Sequence, residues 1–198
     1  MARTSGEIKM NLAANSNWTE LRDMVREKSY EKRTVTLASG KTSDFYMDMK
    51  NTLLHPRGAF LVGKLIAESL QQSDGRLVGV GGLTMGADPI ATAVSISSLS
   101  WKRPLLAFYI RKEPKGHGTG QWVEGIKNFS SGDCVYVLED VVTSGGSSLK
   151  AVERAELAGL KVAGIFTCVD REEGGREVIE ARGLEFRALL RKSDIVKN

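Results

Sequence analysis

The chain has 198 residues, of which 41% are hydrophobic and 26% charged, with 28 basic against 24 acidic residues, a net charge of +4 and a pI of about 9.1. This is a globular composition and excludes a disordered chain, a fibre or a coiled coil; at this length roughly 70% of the unfolded surface can be buried in one domain, 1–198, without a disulfide or metal staple. The charge is too small to call for a nucleic-acid partner and suits a small polyanion equally well.

The N-terminal MARTSGEIKMNLAANSN lacks the apolar stretch of a signal peptide. Asn17 followed by Glu20 predicts a helix N-cap with its capping-box partner, and Trp18, Leu21 and Val25 share one face of the helix that follows. TVTLASG at 34–40 and SDFYMDM at 43–49 read as two extended pieces joined as a hairpin. Pro56 suits a helix start, and 57–72 has helical spacing. The remaining elements are a short apolar strand at 77–82, a helix at 86–100, strands at 104–110 and 134–139, a helix at 146–158, a strand at 161–169, a helix at 175–182 and a last strand at 184–190.

Residues 77–101 carry a single charge, Asp88, which makes them long and apolar enough to be weighed as a membrane span. A mid-span aspartate costs about 2.5–3.5 kcal/mol in a bilayer, and four glycines and an Asp-Pro pair interrupt the run. A buried strand, a loop and a helix account for it better, so the expectation is a soluble, cytoplasmic protein without a membrane partner. Cys134 and Cys168 each sit in an apolar run and read as reduced, buried strand residues. Apolar, non-alternating strands separated by helices predict an α/β class with a doubly wound, mainly parallel sheet flanked by helices. Ligands in such folds bind beyond the carboxyl ends of the strands.

Two segments stand at those ends. In VYVLEDVVTSGGS, 135–147, a buried strand delivers Glu139 and Asp140 side by side, then Thr143, Ser144, Gly145, Gly146 and Ser147 lead into a helix. Glycines that allow close approach, free amides at a helix start and small hydroxyls make a phosphate cradle. An acidic pair beside it makes sense if the ligand also carries vicinal hydroxyls or a divalent metal, as a phosphorylated ribose does. In RKEPKGHGTGQWVE, 111–124, the bases Arg111, Lys112, Lys115 and His117 crowd among glycines directly after a strand. Cations there would neutralise charge growing on an anionic leaving group.

The first segment resembles the 13-residue phosphoribosyl-pyrophosphate motif of type I phosphoribosyltransferases, and the second resembles the catalytic loop of orotate phosphoribosyltransferases. SGKTSDFYMD at 39–48 is similar to that family's N-terminal substrate hood, GGLTMGADPIA at 81–91 to its pyrophosphate-contacting loop, and VDREEGG at 169–175 to the segment whose arginine meets the orotate carboxylate. The resemblance spans about 34–190 with its motifs in order. It implies a type I phosphoribosyltransferase-like fold with a small hood drawn mainly from about 18–55, and Mg²⁺-dependent transfer of ribose 5-phosphate from 5-phosphoribosyl 1-pyrophosphate (PRPP) to orotate in pyrimidine synthesis.

By that resemblance Arg111, Lys112 and His117 are the catalytic group and, with Lys115, contact the pyrophosphate; Lys112 reaches the neighbouring site of a homodimer with shared active sites. Glu139 and Asp140 bind the ribose hydroxyls, directly or through Mg²⁺ and water, with no protein residue a direct metal ligand. Val141, Val142, Thr143, Ser144, Gly145, Gly146, Ser147 and Ser148 carry the 5′-phosphate. Thr143 and Arg171 position orotate, and Tyr46 stacks on it. Two departures remove cations: Ala38 and Met85 stand where many members carry lysine, and Lys41 is the nearby candidate to replace the first. A phosphoribosyltransferase for another base and a non-catalytic, nucleic-acid-binding regulator are the alternatives; the cationic loop favours an enzyme, without a nucleic-acid partner.

Other motifs carry less. Gly40-Lys41-Thr42 imitates a P-loop tail, but Val35 stands where that motif needs glycine. Gly79, Gly81 and Gly82 lack dinucleotide spacing and read as permitting a tight turn at a sheet edge. His55 reads as a helix-start residue, the Glu-rich 172–180 as a solvated helix face, and no zinc motif occurs.

Overall fold

The computed structural model describes residues 15–36, 42–71, 76–114 and 121–196. Helix α1, Ser16–Lys28, leads into an antiparallel pair, β1, Tyr30–Thr36, and β2, Thr42–Met47. The short α2, Lys50–Leu53, and the long α3, Pro56–Gln71, connect this hood to a six-stranded sheet. In chain order the sheet region contains β3, Leu77–Leu83; α4, Asp88–Ser97; β4, Leu106–Ile110; β5, Val123–Glu124; β6, Cys134–Val142; α5, Gly146–Leu157; β7, Lys161–Asp170; α6, Gly175–Glu180; β8, Glu185–Arg191; and α7, Lys192–Ile195. The spatial order is β5-β4-β3-β6-β7-β8. Every pairing is parallel except β4 with β5.

The interior strands β3, β6 and β7 are mostly apolar because both faces are covered. Along β6, Tyr136 and Leu138 join a core with α1, α3 and α4, through Leu21, Leu65 and Val94 among others. Their neighbours Val135 and Val137 join the opposite core, with Ala151 and Val152 of α5 and Ile179 of α6. The strand's two-residue period thus splits one apolar run between two layers. The parallel directions bring the ends of β3, β4, β6 and β7 to one edge, as the sequence predicts.

The hood is fastened to that edge. The Trp18 indole N–H donates to the Leu189 carbonyl at 2.6 Å. Arg26 donates to the Ile195 and Asp194 carbonyls at 2.8 and 2.5 Å. Buried Phe45 of β2 sits against Arg171, whose guanidinium donates to the Phe45 carbonyl at 3.3 Å.

Several expectations are corrected in detail. The N-cap of α1 is Asn15, not Asn17: its side chain accepts the Asn17 N–H at 2.9 Å, and Glu20 instead pairs with Arg57. Gly79, Gly81 and Gly82 lie within β3, an interior strand, and not at a sheet edge. Side chains on Gly81 and Gly82 would run into the carbonyls of Phe108 and Leu138, so these glycines admit neighbouring backbone and Phe108. Glu172 and Glu173 precede α6: Glu172, at φ 56°, accepts from Ser193, and Glu173 pairs with Arg171. The expectation for His55 agrees with its ring Nδ1 accepting the Arg57 N–H at 3.2 Å. Cys168 is buried as expected, but Cys134, the first residue of β6, is only half-buried; both are free thiols.

Gly63 marks the closest approach of α3 and α4, where a Cβ would stand 2.6 Å from the Ala93 carbonyl oxygen and 2.8 Å from Ser97 Oγ. Gly63→Val should therefore destabilise the fold by about 1–3 kcal/mol through overpacking. Urea unfolding would test this, and an unchanged midpoint would show that the two helices separate without strain.

Candidate active site

The loop after β6 is built around a buried carboxylate. Glu139 is 7% exposed, and its Oε2 accepts from Ser148 Oγ at 3.0 Å and Ser147 Oγ at 3.1 Å, both from the first turn of α5. Burial, reinforced by the charge of Asp140 and partly offset by the two serines, pushes the Glu139 carboxyl up to about 7. Asp140 is half-buried and accepts the Val141 N–H at 2.9 Å. Its carboxylate lies against the turn after β3, where a Cβ on Gly86 would stand 2.7–2.9 Å from the carboxyl atoms.

Gly145 turns the chain into α5 with φ +81°, a conformation that favours glycine. The space before Gly146 is open: a Cβ there would meet only Ser144 Oγ, at 4.0 Å. Ser144, Gly146 and Ser147 are exposed, Thr143 and Val141 half-buried, and Ser148 and Val142 buried. The loop therefore offers amides and hydroxyls to solvent at the start of a twelve-residue helix, an arrangement that attracts an anion.

Neighbouring strand ends supply cations. The Arg171 N–H donates to the Val142 carbonyl at 2.9 Å, which sets Arg171 beside the backbone leading to Thr143. Its buried guanidinium pairs with Glu173 at 2.8 Å. At the exit of β4, the Arg111 N–H donates to the Trp122 carbonyl at 2.9 Å, and its guanidinium pairs with Glu124 at 3.0 Å. Lys112 is exposed. Lys115, His117, Ala38 and Lys41 lie outside the described residues. Met85, in the lysine position, is 65% exposed on the turn that abuts Asp140. Tyr46 on β2 is half-buried, with the Arg33 guanidinium 3.8 Å from its ring centroid.

Three contributors to the site carry no signal in the sequence. Lys50 pairs with Asp48 at 2.7 Å, and this bond, against some desolvation, raises its ammonium above the usual lysine range, with Asp140 and Tyr46 adding to the shift. Arg33 covers the predicted base-stacking tyrosine, and Glu173 holds the predicted base-binding arginine. None of the three stands out among the charges around it in the chain: Lys50 and Glu173 pair with residues two positions away, and Arg33 meets Tyr46 across the β1–β2 pair.

Among the described residues, no three acidic, histidine or cysteine side chains converge on a metal position. Two adjacent carboxylates, one of them half-buried, fit Mg²⁺ that is carried by substrate oxygens and reached through water. No described helix is long and apolar enough to cross a membrane.

No family model matches the chain. It is 44% identical to the orotate phosphoribosyltransferase of Sorangium cellulosum over 187 residues, covering 94% of this chain and 97% of that protein. It is 46% identical to that of Aquifex aeolicus over 160 residues, covering 81% and 85%. The crystal structure of Mycobacterium tuberculosis orotate phosphoribosyltransferase in complex with PRPP superposes with a TM-score of 0.73 at 37% identity, covering 90% of this chain and 98% of that one. With a shared fold and this identity along nearly its whole length, the chain belongs to the orotate phosphoribosyltransferase family.

Proposed function

We propose that the strand-end residues carry out this family's reaction, transfer of ribose 5-phosphate from PRPP to orotate with Mg²⁺ in a homodimer with shared sites. The observation that most supports the reading is that an open phosphate cradle, an acidic pair and Arg171 stand together at the carboxyl ends of β6 and β7, on the same sheet edge from which the cationic segment leaves β4. In the reaction the bond from the anomeric carbon to pyrophosphate breaks, and its electron pair leaves with pyrophosphate. Positive charge grows on the ribose ring; orotate N1 forms the new bond and releases its proton to water. Products are orotidine 5′-monophosphate and pyrophosphate.

Each group has a role in that scheme. The amides and hydroxyls of 143–148 hold the 5′-phosphate. Glu139 and Asp140 hold the ribose hydroxyls and face the growing positive charge. Arg171 and the Thr143 hydroxyl orient orotate, and Tyr46 stacks on the ring. Arg111 and Lys112, with Lys115 and His117, stabilise the departing pyrophosphate. Glu139 and Asp140 would hold Mg²⁺ through water beside the substrate, where the ion would supply further neutralisation of charge. Holding both reactants in line accounts for about 7–11 kcal/mol of the barrier in reactions of this kind.

An ultraviolet assay tests the reading directly. Orotate should be consumed with PRPP and Mg²⁺, EDTA should stop the reaction, and uracil, adenine and hypoxanthine should be inert. Turnover of another base in preference to orotate, or of none, would overturn it.

Lys112→Ala should lower kcat by about 10²-fold or more, the scale for losing one charge-stabilising donor, with the thermal midpoint unchanged. Glu139→Gln should also be nearly inactive. Co-expressing the two variants should restore activity, because a mixed dimer keeps one site with both residues intact. Without recovery, Lys112 acts within its own subunit.

Glu139 also predicts a pH dependence. Its folded pKa, about 7, lies above the unfolded value, 4.5, so the folded apoprotein binds the extra proton. The associated stability is fully present below pH 4.5 and is lost as pH rises through 7. Glu139→Gln should remove this component from the thermal midpoint between pH 4.5 and 7. PRPP affinity should rise through pH 7 in the native protein as the carboxylate ionises. Parallel pH profiles for the two proteins would assign the effect elsewhere.

A further inference from the structure

Arg154 lies outside every motif of the site. It is on α5, eight residues after Gly146, which at 1.5 Å per residue sets it about 12 Å along the helix from the cradle. Its guanidinium nevertheless reaches the base of the cationic segment. One terminal nitrogen donates to the Arg111 carbonyl at 2.7 Å and the other to the Lys112 carbonyl at 3.3 Å. Its Cζ is also 4.0 Å from the Trp122 ring centroid. Arg111 and Lys112 form the outgoing limb after β4, Trp122 the returning limb before β5, and the bond from the Arg111 N–H to the Trp122 carbonyl closes the stem between them.

The choice of carbonyls matters. They belong to the peptide planes before and after the Lys112 Cα, so fixing both planes fixes φ and ψ at Lys112. It thereby sets the direction in which the lysine side chain leaves the backbone. We propose that Arg154 is the positioning residue for Lys112, aiming it by clamping its two flanking peptide groups against the indole of Trp122. The inference rests on the role given to Lys112 above. The chemistry suits arginine specifically: its planar fork carries five N–H donors and no acceptor, so it can bond two carbonyls and stack on an aromatic face at once. A lysine would supply one point charge and lose either the second carbonyl or the stacking. The clamp also joins two parts of the site, since the helix that begins in the phosphate cradle ends by holding the segment that meets the pyrophosphate.

The test compares native protein with Arg154→Ala, Arg154→Met and Arg154→Lys, the methionine variant keeping an apolar stem against Trp122. Arg154→Ala and Arg154→Met should lower kcat by about 10-fold to 10²-fold, as misplacement of a reacting group does, with KM for orotate unchanged. Arg154→Lys should recover part of the loss. In the Lys112→Ala background, Arg154→Met should change kcat by less than about 2-fold, because residues acting through one another are not additive. A native kcat in both Ala and Met variants, or losses that multiply with Lys112→Ala, would overturn the proposal.

Trypsin supplies a readout independent of turnover. The two clamped carbonyls are the scissile groups after Arg111 and Lys112, so cleavage there should accelerate in the Ala and Met variants and not after Lys127. Unchanged cleavage at those two bonds would overturn the clamp even if activity fell. Were the native protein itself inactive with orotate, the functional reading would fail while the cleavage experiment still judged the clamp.

Discussion

Glu139 is the constraint around which the site is organised. A carboxylate at the end of an interior strand is costly to bury unless donors face it, and here the donors are Ser147 and Ser148 from the first turn of the next helix. The bonds tie the end of β6 to the start of α5 and close the loop between them, with Gly145 at φ +81° turning the corner. Neither donor is charged, so burial prevails and the carboxyl titrates near neutrality. The same hydroxyls belong to the cradle proposed for the 5′-phosphate. A phosphate that drew them away would leave Glu139 without its donors unless ribose hydroxyls or a cation replaced them. A phosphorylated ribose supplies both ends of that exchange, whereas inorganic phosphate supplies one.

How much of this was legible in the sequence depended on the range of the interactions. Apolar strands, their order and the acidic pair before a Thr-Ser-Gly-Gly-Ser turn are local patterns, and the structure contains them nearly at the expected boundaries. The short elements were not legible: two-residue β5 exists only because it pairs with β4, and α2 and α7 are single turns without a hydrophobic period. Asn17 has the right residue type for a cap, but the helix starts one residue earlier and the Asn15 side chain takes the role by accepting from Asn17 itself. Gly81 and Gly82 looked like turn glycines because the sequence does not show the Phe108 and Leu138 backbones that approach them. The partners of Arg171 illustrate both ranges, with Glu173 two residues away and the Phe45 carbonyl 126 residues away.

The cations differ in how firmly they are held, and this bears on how a polyanion can enter a site with Met85 in a lysine position. Arg171 is buried against Phe45 and paired with Glu173, its side chain only 9% exposed. Separating that pair would strand a buried charge, so Arg171 is a fixed element of the site. Arg111 and Glu124 are each 42% exposed, and such a pair contributes about 0–1 kcal/mol. A pyrophosphate could take Arg111 from Glu124 at little cost. Lys112 has no acidic partner among the described residues, and Lys50 shares its charge between Asp48 and the field of Asp140. The end proposed for the base is therefore rigid in charge and the end proposed for pyrophosphate convertible. This division suits a reaction in which one anion must be oriented and the other must arrive, gain charge and depart.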